Sequence, residues 1–284
     1  MSGTSPATGS LDRLEALLDR RTPISTITAL SQAISKTTQT QVPLETAAIG
    51  IDASVFLKLA SHPKRDDIVD YLDTKHVGPL IVPGQAIQEF WNNQLAAVLT
   101  VSDGLKRKFE ALKQEAEKLN PDFGGYAVKM DRLLDEFGSD YGYAYDPATL
   151  RSTLTIVKLF ERKGYLSYVP RTRFHQIAVG RKRTKTPPGF KDDGDGDFFT
   201  WAEFLFGLLV AQEKGPRFDH AIVLTNDRKI DWSRDGIAHP VLTAEVAQLA
   251  GVPFDVWTID QLARQVSGAA PIEVEISANP AAGP

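Results

Sequence analysis

The sequence predicts an α/β fold: a doubly wound, mainly parallel sheet of about five strands, with a helical insertion and an N-terminal helical extension. Three observations lead there. Short apolar runs at 48–52, 80–83, 221–226 and 254–258 read as buried strands. Segments with helical spacing separate them, the alternation that builds parallel sheets through right-handed crossovers. Two of the runs end in acid, at Asp52 and at Asn226-Asp227, where an open sheet presents its carboxyl ends to ligands.

Taken in order, residues 1–10 are rich in Ser, Thr and Gly and are expected to be disordered. They contain no apolar core, so no signal peptide is expected. Ser10 is placed to cap a helix through Leu11, Leu14, Leu17 and Leu18. A second helix is expected at about 24–36. With the polar start, these helices make an extension over 1–46, separate from the α/β body at 47–262. In the body, a first strand at 48–52 is followed by a helix through Val55, Leu57, Leu59 and Ala60, then a helix at about 66–73. The strand Leu80–Pro83 precedes a helix from Gln85 to Thr100. Stripes at Leu105, Phe109, Leu112, Ala116 and Leu119, at Val128, Leu133, Leu134 and Phe137, and at Leu150, Leu154, Val157 and Phe160 give a helical insertion over about 103–163. Next come a short strand at 165–169, a basic loop at 171–191, a helix at 197–211, a strand at 221–226, a helix near 243–250 and a last strand at 254–258. The tail, 263–284, is rich in Ala, Pro and Gly, with a strand-like 272–276.

The 284 residues suffice for one large domain, and a 42% hydrophobic content supports a sizeable core. A net charge of -4 does not advertise a nucleic-acid binder, though clustered acids would mask basic patches elsewhere. Cysteine is absent, which excludes disulfides, thiolate zinc sites and a cysteine nucleophile. That fits a cytoplasmic location. No run is long enough to span a bilayer, so no membrane partner is expected.

Four acids carry the chemistry: Asp52, Glu89, Asp197 and Asp227. Each has a plain structural explanation. Asp52 and Asp197 suit helix caps, and Asp227 suits a turn. Glu89 lies among Ala86, Ile87, Phe90 and Trp91, where a carboxylate needs a partner, and a Lys or Arg would serve. Together, acids at successive sheet edges repel one another unless a cation lies between them. An all-oxygen set suits Mg²⁺ or Mn²⁺. The five histidines show no zinc spacing. The string Asp193-Gly-Asp-Gly-Asp197 is not an EF-hand, because Phe198 and Phe204 replace the required Gly and Glu. Asp192, Asp193 and Asp195 either support the site or are merely solvated.

The neighbouring basic run holds Arg171, Arg173, Arg181, Lys182, Arg183, Lys185 and Lys191. Its charges would balance the acids or contact a phosphate backbone. Pro187-Pro188-Gly189 would stiffen it, and Phe174, Phe190, Trp91 and Trp232 are aromatics available for stacking or for the core.

These residues resemble the PIN-domain nucleases. The resemblance rests on Ile-Asp-Ala-Ser-Val-Phe-Leu with Asp52, on Glu89 after the second strand, on Asp197 opening a helix and on Leu-Thr-Asn-Asp with Asp227. Pro-Pro-Gly-Phe-Lys-Asp and Thr-Asn-Asp-Arg-Lys-Ile-Asp-Trp look like a PIN-like subgroup with an enlarged helical insertion. It covers roughly 47–260. It implies a metal-dependent endonuclease, a hydrolase of phosphodiester bonds, usually a ribonuclease. One or two Mg²⁺ or Mn²⁺ ions would be held by Asp52, Glu89, Asp197 and Asp227, with Asp192 or Asp195 as alternatives for the third ligand and Asp231 as an extra ligand or a cap. Arg181, Arg183, Lys185 and Lys191, with Thr225 and Asn226, would contact RNA more readily than DNA. Two other classes stand beside it. A haloacid-dehalogenase-type phosphatase wants a second Asp where Ser54 stands. A non-catalytic binding module would use the extension and insertion for a protein partner or a second copy.

Overall fold

The computed structural model describes residues 6–35, 42–118, 125–126, 128–133, 147–191, 193–226, 229–234 and 236–268. Helices α1 (Pro6–Leu18) and α2 (Thr26–Ser35) precede strand β1 (Ala48–Ile51). Then follow α3 (Ala53–Ala60), α4 (Arg65–Asp70) with a π-helical turn at Tyr71–Lys75, β2 (Leu80–Pro83), α5 (Gly84–Glu117), α6 (Pro147–Lys163) and β3 (Gly164–Ser167). The last part holds α7 (Arg171–Arg183), α8 (Gly196–Lys214), β4 (Ala221–Leu224), a small hairpin of β5 (Ser233–Arg234) and β6 (Ile237–Ala238), α9 (Pro240–Ala250), β7 (Phe254–Trp257) and α10 (Ile259–Val266).

The main sheet is parallel in all its pairings, in the order β3-β2-β1-β4-β7. The chain steps outward from β1 to β3, then returns to place β4 on the other side of β1. The strand order therefore reverses between β1 and β4, and a crevice opens at their carboxyl ends. Ile51 pairs with Leu224, so Asp52 and Thr225 leave the sheet side by side.

Both faces of the sheet are covered, as the continuous apolar runs require. Side chains alternate between the two cores with period two. Ala48, Ile81, Ala221, Val223 and Val256 join α1, α7, α8 and α9 on one face. Ile49, Ile51, Leu80, Val82, Ile222 and Leu224 join α3, α4, α6 and α10 on the other. Helix α8 is buried over most of its surface. It approaches the strands closely because Gly50 leaves room for the Phe204 ring, and Gly207 for Ile81; a Cβ at Gly50 would stand 2.3 Å from that ring.

Several elements differ from the sequence expectations. Helix α1 begins at Pro6, so residues 6–10 are helical, and Ser10 sits inside the helix instead of capping it. Its Leu14, Leu17 and Leu18 lie in the same core as Trp201 and Phe204, so this helix is part of the body. The helix carrying Glu89 does not stop near Thr100; it continues to Glu117 and takes in the first insertion stripe. The basic loop is a helix over Arg171–Arg183, and only 184–191 is a turn-rich segment. The stripe positions Leu119, Leu134 and Phe137 and the tail strand at 272–276 lie outside the described residues. Among the described residues no helix is long and apolar enough to cross a membrane.

Candidate active site

Asp52 follows β1 in extended conformation and caps α3. Its Oδ2 accepts from Ser54 Oγ at 2.6 Å, from Ser54 N at 3.4 Å and, across the crevice, from Thr225 Oγ1 at 2.8 Å. Ser54 Oγ in turn accepts from Asn226 N at 2.9 Å. The residues after β4 are thus tied to the residues after β1. Among the described residues no hydrogen bond falls on Asp52 Oδ1, and it is not sealed from solvent. Asn226 Nδ2 is buried there without a partner among the described residues.

Glu89 stands one turn into α5, half-buried. Its Oε1 accepts from Gln85 Nε2 at 2.7 Å and lies against the start of α8: a Cβ at Gly196 would be 2.0 Å away. The next residue is Asp197. Asp197 Oδ2 accepts from Trp232 Nε1 at 3.3 Å and pairs with Lys229 Nζ at 3.4 Å. The neighbouring turn is close, since a Cβ at Gly189 would be 3.1 Å from Asp197 Cβ. Gly189 has φ +87°, the left-handed region that glycine adopts without strain. The structure brings Glu89 up to the helix end carrying Asp197, and Asp52 together with Thr225 and Asn226. Asp227 and Asp192 lie outside the described residues.

One site expectation is corrected. Arg181 does not face a substrate. It is buried, donates to Glu245 Oε1 at 2.7 Å and to the Pro187 carbonyl, and lies over the Phe198 ring. Asp231 is fully buried; its Oδ2 accepts from Gly189 N at 2.9 Å and fixes the turn beside Asp197, while its Oδ1 has no partner among the described residues. Asp195 precedes α8, with its carboxylate 3.8 Å from His175 Nδ1. Arg183, Lys185 and Lys191 remain exposed. The other cations of the run are engaged: Arg173 with Asp12 and Glu15, Arg171 with Glu203, and Lys182 with the Asp193 carbonyl. Of the aromatics, Phe174 and Trp232 are core, whereas Trp91 is 72% exposed, two residues after Glu89.

Glu203 escaped the sequence reading. It is wholly buried on α8, and its carboxylate accepts from Gln85 N at 2.7 Å, capping α5 from a distance. Arg171 supplies the countercharge at 3.2 Å. Burial pushes its carboxyl above the ordinary range, and the nearby Glu89 adds to the rise, against the Gln85 and Val169 N–H groups and Arg171. Glu245 is a second such acid, holding Arg181, Arg20 and Trp201 Nε1. The available signal was the same for both, an acid inside an apolar helix.

Asp52, Glu89 and Asp197 offer carboxylate oxygens, with Thr225, Ser54 and Asn226 beside Asp52, a donor set that suits a hard cation. Among the described residues no three His, Cys, Asp or Glu side chains are grouped closely enough to hold a metal ion. Comparison with known proteins gives no match to a family model, to a curated protein or to a solved structure.

Proposed function

We infer that the chain is a divalent-metal-dependent endonuclease that hydrolyses phosphodiester bonds, with RNA the favoured substrate. The observation that carries this reading is Asp52 at the β1/β4 crevice, with one oxygen held by Ser54 and Thr225 and the other without a hydrogen bond among the described residues. A carboxylate fixed in this way at the point where strand order reverses is suited to receive a ligand. Asp52, Glu89 and Asp197 are not grouped closely enough to hold an ion by themselves, and they would hold Mg²⁺ or Mn²⁺ only in a set completed by Asp227. The ion would make bound water more acidic and offset charge on the phosphate. Thr225 and Ser54 orient Asp52. Arg183, Lys185 and Lys191 would draw in the phosphate backbone, and Trp91 offers an exposed face for a base. A chain without cysteine fits a cytoplasmic location.

A second reading is a non-catalytic binding module. The Lys229–Asp197 pair favours it, because the ammonium occupies an oxygen that a metal would need. One assay separates the two: labelled single-stranded RNA and DNA incubated with the protein in Mg²⁺, Mn²⁺ or EDTA. Cleavage that needs metal and disappears in Asp52→Asn, with the circular dichroism unchanged, supports the nuclease. Full metal-dependent cleavage by Asp52→Asn refutes the assignment. Tight binding without cleavage supports the binding module.

A further inference from the structure

On the β7 side of the Asp52 crevice lies a cleft of about 500 Å³. Thr225, Ile230, Arg234, Trp257 and, from α10, Gln261 and Arg264 are among the residues that line it. Thr225 belongs to both places, since its hydroxyl donates to Asp52 Oδ2 at 2.8 Å. Whatever fills the cleft therefore sits next to the candidate catalytic carboxylate.

The charges in the cleft call for an anion. Arg234 and Arg264 both line it, and among the described residues neither has a carboxylate within ion-pair distance. Asp260, also on the lining, is turned to His62, at 3.1 Å. The first turn of α10 is closed by its own capping box between Thr258 and Gln261, so the helix N–H groups are not the anion site. That leaves the guanidinium groups, whose planar fork matches phosphate. Ile230, 41% exposed, adds an apolar surface that a base can cover. A cleft of this size accepts one nucleotide unit.

We propose that this cleft is a subsite for single-stranded RNA, holding the nucleotide next to the phosphodiester placed at Asp52. The proposal rests on the nuclease reading, and its test separates the two. The full chain is titrated into fluorescein-labelled oligouridine in EDTA, and anisotropy is followed over a range of NaCl concentrations. Wild type is compared with Arg234→Ala/Arg264→Ala and with Arg234→Lys/Arg264→Lys. Each phosphate contact on a single strand contributes a salt slope of about 0.7, so the alanine pair should lose about 1.4, or roughly 25-fold in affinity at 0.1 M salt. The lysine pair should keep the slope. With Mg²⁺ or Mn²⁺ present, the alanine pair should raise KM and leave kcat nearly unchanged. Binding that weakens as stated, with no cleavage by wild type in any metal, upholds the cleft and removes the nuclease. Cleavage by wild type with the same KM in the alanine pair removes the cleft and leaves the nuclease. Absence of oligouridine binding by wild type, or equal affinity and slope in the alanine pair, overturns the proposal.

Discussion

Thr225→Val tests the contact on which the site is built. Thr225 is 1% exposed, so valine fills the same space and leaves no cavity. What disappears includes the hydrogen bond, at 2.8 Å, to the carboxylate of Asp52, itself only 7% exposed. Hydrogen bonds to charged groups contribute about 1.5–3 kcal/mol. Two donors from Ser54 remain on the same oxygen, which places the expected loss near the lower end, about 1.5 kcal/mol. For a chain of this size that lowers the melting temperature by roughly 3–6 °C. Thermal unfolding followed by circular dichroism measures it. Metal-dependent cleavage should fall as well, because the Asp52 carboxylate loses the hydroxyl that reaches it from the β4 side. A double-mutant cycle with Asp52→Asn isolates the pair, and a coupling of about 1 kcal/mol is expected. Unfolding at the wild-type temperature, together with additivity within about 0.3 kcal/mol, would refute the reasoning.

Other perturbations separate site from scaffold. Gly196→Ala puts a Cβ 2.0 Å from Glu89 Oε1, a side-chain end that can swing aside; cleavage should drop at least tenfold while the urea midpoint barely moves, and unchanged cleavage would detach Glu89 from the site. Leu17→Ala should cost about 2–5 kcal/mol in denaturant unfolding, because Leu17 is 1% exposed in the core beneath α8; a change within about 0.5 kcal/mol would return α1 to a surface appendage. Glu203→Gln bears on pH. The folded carboxyl lies above its ordinary 4.5, so its contribution is complete below the unfolded value and is lost as pH rises through the folded one. From acid toward neutral pH, wild type should lose stability relative to Glu203→Gln, and parallel pH profiles would contradict that sign.

The strands were legible because each is a short unbroken apolar run, and a strand buried on both faces can hardly look otherwise. The carboxyl-end acids followed from them. Partners were not legible. The leucines of α1 announce one buried face, but periodicity does not say that the face packs under Trp201. The run 171–183 reads in the sequence as a basic loop whose charges balance the adjacent acids or meet a phosphate backbone. Its use lies far away in sequence, in Asp12, Glu15, Glu203 and Glu245. The helix expected to end at Thr100 runs on through Gly104, a cost of about 1 kcal/mol that a long helix absorbs. Glu203 and Glu245 break the apolar pattern of their helices, and that signal alone could have marked them.

The cap and the ligand explanations of Asp52 need not compete. Capping α3 explains Ser54 N on Oδ2, and any Ser, Thr or Asn could do the same. It does not explain Thr225, which reaches the same oxygen from a strand that joins the sheet 173 residues later. Nor does it explain Ser54 Oγ serving as acceptor for Asn226 N while donating to Asp52. These bonds close a ring across the β1/β4 reversal and leave Oδ1 outside it. A cap needs one acceptor at a helix start. A carboxylate locked from both sides of a crevice, with one oxygen that takes no hydrogen bond among the described residues, and bonded to a Thr225 that also lines the cleft of Arg234 and Arg264, suits a site for a phosphate and its counterion.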